Sequence, residues 1–142
     1  MEAKEFLKRF RKYETLIHNK TIELYQCKEA TTSITSKLGG ERVQGSGNPH
    51  RMADIIAKYV DLEKEIKRDI DNMMKAKKEI LQVIESLNAD QYDVLHKLYI
   101  QKMTFKEIAY ERGKSESWAT TLHGNALKIV QKILDEKEIQ EA

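Results

Sequence analysis

Side chains that can hydrogen-bond are concentrated between residues 102 and 128. Four of them fall in a run of six residues, namely Glu116, Ser117, Thr120 and Thr121. Groups of this kind can donate to or accept from the edges of base pairs in a DNA groove. Four lysines surround them, namely Lys102, Lys106, Lys114 and Lys128. Ammonium groups bind phosphate oxygens, so the spacing predicts base contacts from the polar cluster and phosphate contacts from the lysines.

Two helices and a tight turn are needed to position these side chains. Thr104 and Glu107 have the spacing of a capping box, which predicts the start of one helix. Gly113 allows the left-handed backbone that ends it, and Ser115 can cap the next helix. This pattern predicts a helix-turn-helix with its second helix in the major groove. An ordinary pair of core helices with a glycine break is the alternative.

The second helix has an apolar stripe that leaves the polar cluster on the other side. The stripe consists of Ala119, Leu122, Ala126, Ile129 or Val130, and Ile133. Trp118 either covers the turn or contacts a sugar or a thymine methyl group. His123 either contacts a phosphate or packs at the helix edge, and we expect it at the surface. Tyr92, Tyr99 and Phe105 are expected in the core of the same small domain.

A family resemblance rests on these residues. Residues 94–134 resemble domain 4 of bacterial sigma factors at the following positions: Leu95, Leu98, Tyr99, Ile100, Thr104, Glu107, Ile108, Ala109, Gly113, Ser115, Leu122, Ala126 and Leu127. The whole chain resembles small phage and prophage sigma-like regulators of the ArpU and RinA kind, notably in residues 40–44, 58–66 and 122–127. The resemblance implies double-stranded DNA and bacterial RNA polymerase as partners, and activation of late genes.

Composition narrows the class of protein. The chain has 142 residues, of which 34% are charged, with one proline and a net charge of +2. Between residues 95 and 134 seven Lys and Arg stand against three Glu, a balance of +4. The net charge of the chain is weak for a DNA-binding protein and residues 95–134 are only mildly basic, so we expect help from a dimer partner or from RNA polymerase. We expect no membrane span and a cytoplasmic location. No motif predicts catalytic residues, a metal site or a cofactor.

The first 87 residues predict a long antiparallel helical hairpin in an all-α protein. Its loop is expected at about residues 39–50, and the first helix is expected to fray or end at residues 31–35, which are poor helix formers. The apolar stripe of the second helix is Met52, Ile56, Tyr59, Leu62, Ile66, Ile70, Met73, Ile80, Ile84 and Leu87. Residues 88–135 would form the helix-turn-helix domain, with an acidic tail at 136–142. Alternatively, the long helices pair between two chains in a coiled-coil homodimer.

Two other functions fit the pattern. In a protein-interaction adaptor, the long helices would bind the partner and the helix-turn-helix would only pack. A phage small terminase subunit also joins a helix-turn-helix to long helices, although that class usually has the DNA-binding unit first.

Overall fold

The protein is helical wherever its structure is described. The computed structural model describes residues 1–40 and 48–141, with side chains for 1–34 and 50–141. In chain order the elements are α1 (Ala3–Gly40), α2 (Asn48–Ile84), α3 (Ala89–Leu95), a π-helical segment (His96–Ile100), α4 (Phe105–Arg112) and α5 (Glu116–Glu141). These described ranges contain no strand, which confirms the predicted all-α class.

The chain divides into two compact units. The head unit comprises Met1–Lys12 and Met73–Ala142, and the two-helix unit comprises Tyr13–Asn72. The head unit thus contains the first turns of α1 and the last turns of α2, besides everything from α3 onward. The predicted domain boundary between residues 87 and 88 does not coincide with this division.

The head unit includes the ends of the long helices because they supply more than half of its core residues. Leu7 of α1 and Ile80 and Ile84 of α2 are wholly buried, as are Leu95 and Val130 from the C-terminal elements. Burying a leucine or isoleucine side chain stabilises a fold by about 1.5–3 kcal/mol. The short helices would expose this apolar surface without α1 and α2.

The two-helix unit is an antiparallel pair. Lys20 of α1 lies 2.6 Å from the carboxylate of Asp69 and 3.8 Å from that of Glu65. Leu62 is buried in this unit, as the apolar pattern predicts. Ile56 and Ile70, which the predicted stripe also includes, are exposed instead. The predicted stripe is wider than the face that α1 covers, since at about 100° per residue Ile56 and Ile70 lie about 120° and 80° around the helix from Leu62.

The long helices extend further into the predicted loop than expected. α1 continues to Gly40 and α2 begins at Asn48, so the expected loop at 39–50 is too wide at both ends. The rest of that expected loop, residues 41–47, lies outside the described residues. The helix also continues through Thr31 and Thr32, whose hydroxyl groups donate to the carbonyl oxygens of Cys27 and Lys28 at 2.9 and 3.0 Å.

The acidic C-terminal residues belong to a helix. α5 continues to Glu141, so residues 136–141 do not form a separate tail. Glu138 accepts a hydrogen bond of 2.7 Å from the amino group of Met1, and Gln131 accepts one of 2.7 Å from the backbone of Ala3. These contacts fix the last turns of α5 within the head unit.

Candidate nucleic-acid interface

The turn between α4 and α5 forms as its residues predict. The hydroxyl of Thr104 accepts from the backbone N–H of Glu107, whose side chain accepts in return from the backbone of Thr104, both at 3.2 Å. Gly113 ends α4 with φ 63° and ψ 34°. The Ser115 hydroxyl then accepts from the N–H of Trp118 at 3.0 Å and caps α5. All three predicted caps are confirmed.

One face of α5 is fixed in the core. Ala119, Ala126 and Val130 are wholly buried, and Leu134 is nearly so. The predicted stripe included either Ile129 or Val130, and in the structure Val130 is buried whereas Ile129 is exposed. The packing of these side chains determines which face of α5 remains outside.

The four predicted base-contacting residues lie on the outer face of α5. Glu116, Ser117, Thr120 and Thr121 are all exposed, on its first two turns. The hydroxyl of Thr120 donates to the carbonyl oxygen of Ser117 at 3.1 Å. Its lone pairs and methyl group therefore remain available outward, so Thr120 is placed to accept a hydrogen bond rather than to donate one.

The predicted phosphate-contacting lysines are also at the surface. Lys106 lies on α4, Lys114 lies in the turn, and Lys128 lies about two turns beyond Thr121 on α5. Lys102 is exposed just after the π-helical segment, in a left-handed conformation with φ 61°. The structure thus places these four ammonium groups before, within and after the turn.

Trp118 lies close to two cationic side chains. Its ring centroid is 5.4 Å from the guanidinium carbon of Arg112 and 6.0 Å from the ammonium of Lys114. Both distances are within the range of a cation–π contact. Trp118 is half-buried, so it covers the turn and still exposes part of its ring.

His123 is half-buried rather than at the surface, contrary to the sequence-based expectation. Its Nε2 lies 2.7 Å from the Tyr99 hydroxyl, and its ring meets Phe105 edge-on at a centroid distance of 5.1 Å. Burial lowers its pKa, and the positive charge of Lys4 lowers it further. These contacts orient the ring inward, where it joins α5 to the π-helical segment and to the start of α4.

A network of ion pairs joins α4 to the elements before it. Arg112 binds the carboxylates of Asp90 and Asp93 at 2.5 and 2.6 Å. Lys97 binds Asp93 at 2.8 Å and Glu111 at 3.2 Å. Two of the seven cations in the predicted +4 balance are therefore neutralised within the protein. Sequence reasoning missed this network because Arg112 is 19 and 22 residues from its partners.

Tyr110 is a further candidate that the sequence prediction missed. It is 90% exposed on α4, while its neighbours Ile108 and Ala109 are buried. Lys106 precedes it by one helical turn and lies on the same side of the helix. Two residues beyond Ile108, Tyr110 falls on the opposite face, so helical periodicity could have identified it.

Within residues 1–40 and 48–141, no three His, Cys, Asp or Glu side chains are grouped so that they could hold a metal ion. Among the helices described, none has the length and apolar character needed to cross a membrane.

Comparison with known proteins gives one match. Neither a search of curated proteins nor a search of solved structures finds a similar protein. Residues 32–131 match a family described as a protein of unknown function, DUF1492. The matched range covers more than half of the chain and includes α2, the ion-pair network and the helix-turn-helix. The chain therefore belongs to the DUF1492 family.

Proposed function

We propose that this chain is a sequence-specific DNA-binding regulator of transcription from a phage, prophage or mobile element, acting in the bacterial cytoplasm. One observation carries the proposal: the short polar side chains Ser117, Thr120 and Thr121 are exposed on the first turns of α5. Ala119, between them in sequence, is wholly buried. A helix held by one face, with small polar groups on the other, suits readout in the major groove.

In the proposed mechanism the N-terminal turns of α5 enter the major groove of double-stranded DNA. Glu116 accepts from the amino group of a cytosine, and Thr120 accepts from the amino group of an adenine or a cytosine. The exposed lysines around the turn bind phosphates and set the position of α5 along the duplex. The phenol of Tyr110 donates a further hydrogen bond to a phosphate. None of these residues has a catalytic role.

The charge of the interface supports a need for a second partner. Arg112 and Lys97 are already paired with carboxylates, and Glu116 adds a negative charge at the reading end of α5. Few phosphate contacts give modest affinity for DNA of any sequence. We propose that bacterial RNA polymerase supplies the remaining binding free energy at the promoter.

Selection from a pool of random duplexes tests the proposal. The full chain would be used at stated salt, followed by dissociation constants for the selected duplex and for a shuffled duplex of the same composition. A specific regulator should prefer the selected duplex by about 10³-fold or more. Equal affinity for the two duplexes, or enrichment of no sequence, would reject the proposal.

The adaptor function has its own supporting observation. Tyr25 is 65% exposed and Ile22 is 46% exposed on α1 of the two-helix unit. Large apolar side chains in such positions are typical of protein-binding surfaces. If the selection enriches no DNA sequence, the adaptor becomes the preferred function.

A further inference from the structure

The outer face of α2 in the two-helix unit carries a regular stripe of exposed residues. We call it the α2 stripe, and it consists of Ile56, Val60, Glu63, Lys67 and Ile70. The three apolar members are 47%, 41% and 40% exposed, in that order along the helix. Spacings of four, three, four and three residues place all five on one face with the repeat of a coiled-coil seam.

The α2 stripe borders an open groove. Val60, Glu63, Lys67 and Ile70 line it together with Ile66 of the same helix and Leu24 of α1. The ion pairs of Lys20 with Asp69 and Glu65 use other residues of α2. Contacts with α1 therefore leave this apolar surface open to another molecule.

Two copies of the α2 stripe are complementary when they run in opposite directions. When a second α2 runs antiparallel, with the two helices crossing at position 65, Val60 of one copy faces Ile70 of the other. Glu63 of each copy then faces Lys67 of the other, and a two-fold axis produces both contacts twice. A parallel copy would instead place Glu63 beside Glu63 and Lys67 beside Lys67.

We propose that a second copy of this chain docks on the α2 stripe in the antiparallel orientation. Opposite charges select this orientation, and the apolar residues beside them supply the buried surface. Within the described residues, neither Glu63 nor Lys67 has an ion-pair partner of its own. The proposal goes beyond DNA binding and does not depend on it, because association can be measured without DNA.

Charge exchange between two variants tests the docking surface. Sedimentation equilibrium of the full chain should give the mass of a dimer. Glu63→Lys and Lys67→Glu should each raise the dimer dissociation constant by at least about 10-fold, since each places like charges opposite one another. An equimolar mixture of the two variants should regain the wild-type constant. Each variant chain carries like charges at residues 63 and 67, so no attraction between these two residues can form within one chain. Recovery of the dimer in the mixture must therefore come from contacts between the two different variants.

Matched controls separate this effect from a general change of charge. Lys28→Glu and Glu29→Lys alter exposed residues of α1 in the same unit and should leave the dimer unchanged. A monomeric wild type at about 100 µM, or a mixture that stays monomeric, would overturn the proposal.

Cysteine pairs determine the orientation and remain informative if a charge variant fails to fold. Cys27 is the only cysteine of the chain and is replaced first, as Cys27→Ala. Chains with Val60→Cys should then form a disulfide with chains carrying Ile70→Cys more readily than with their own kind. Preferential bonding of Val60→Cys chains to one another would indicate a parallel pair and contradict the proposal.

Discussion

The hydroxyl group of Tyr99 lies 2.7 Å from Nε2 of His123, and this contact joins the π-helical segment to α5. Burial raises the pKa of Tyr99 to about 12, so its phenol stays protonated and can donate to a neutral imidazole. Burial also lowers the pKa of His123, with a smaller effect of Lys4. The neutral form of His123 is therefore the form that the head unit stabilises.

Acid should weaken the head unit through His123. Because the pKa of His123 is lower in the folded state, the unfolded chain binds more protons as the pH falls below the ordinary value of 6.5. We expect His123→Gln to lose less free energy of unfolding than wild type between about pH 7.5 and pH 5, measured by urea unfolding. The His123→Gln variant should still lose some free energy of unfolding on acidification, because burial also lowers the pKa of His96.

A surface histidine provides the control for this measurement. His18 is exposed on α1, so His18→Gln replaces a histidine without altering the contact between Tyr99 and His123. If His123→Gln and wild type lose the same free energy on acidification, His123 does not couple protonation to folding.

The helix caps were predictable because their partners lie close in sequence. Thr104 and Glu107 are three residues apart, and Gly113 acts through its own backbone. The contact of Tyr99 with His123 spans 24 residues. The contribution of Leu7 to the head core depends on how α1 and α2 pack. Periodicity identifies which residues prefer burial, but it does not specify which distant helix covers them.

The backbone conformation of Gly113 leads to a second prediction. Its positive φ disfavours any residue with a Cβ atom, although open space surrounds the position. Gly113→Ala should therefore lower the free energy of unfolding by about 1–2 kcal/mol, through the backbone alone. Gly124, within α5, also has open space but no positive φ, so Gly124→Ala should raise it by about 0.5–1 kcal/mol. Urea unfolding measures both, and equal effects of the two substitutions would contradict the turn geometry.

Asp93 should be the most sensitive member of the ion-pair network. Burial alone would raise its pKa, but hydrogen bonds from Lys97 and Arg112 lower it below the ordinary value of 3.8. Its contribution is thus present above about pH 3.8 and is lost as the pH falls through the lower folded value. At neutral pH, Asp93→Asn should lower the free energy of unfolding by about 1–3 kcal/mol.

This difference from wild type should shrink as the pH falls below 3.8, and it should disappear only below the lower folded pKa, where Asp93 is protonated in both states. Asp71→Asn, at an exposed position of α2, is the control and should change stability by less than about 0.5 kcal/mol. An Asp93→Asn variant as stable as the control at neutral pH would show that the network does not hold α4 in place.

Lys114 should contribute affinity without sequence preference. Lys114→Ala is expected to weaken binding to the selected and shuffled duplexes by similar factors, and to reduce the slope of log affinity against log salt by about one. Lys8→Ala removes an exposed lysine of α1 and should leave that slope unchanged. Equal slopes for wild type and Lys114→Ala would remove Lys114 from the phosphate-contacting residues.

Thr120 and Thr121 should contribute sequence preference without stability. Both are exposed, and alanine favours a helix more than threonine does, so the double variant Thr120→Ala, Thr121→Ala should fold as well as wild type. Its preference for the selected duplex over the shuffled one should fall by roughly 10-fold or more, because the hydroxyl oxygens that accept hydrogen bonds from the bases are lost. Thr21→Ala with Thr32→Ala is a matched control, since these exposed threonines of α1 also donate to backbone carbonyls. Undiminished preference in a folded Thr120, Thr121 double variant would show that another face of the head unit reads the DNA.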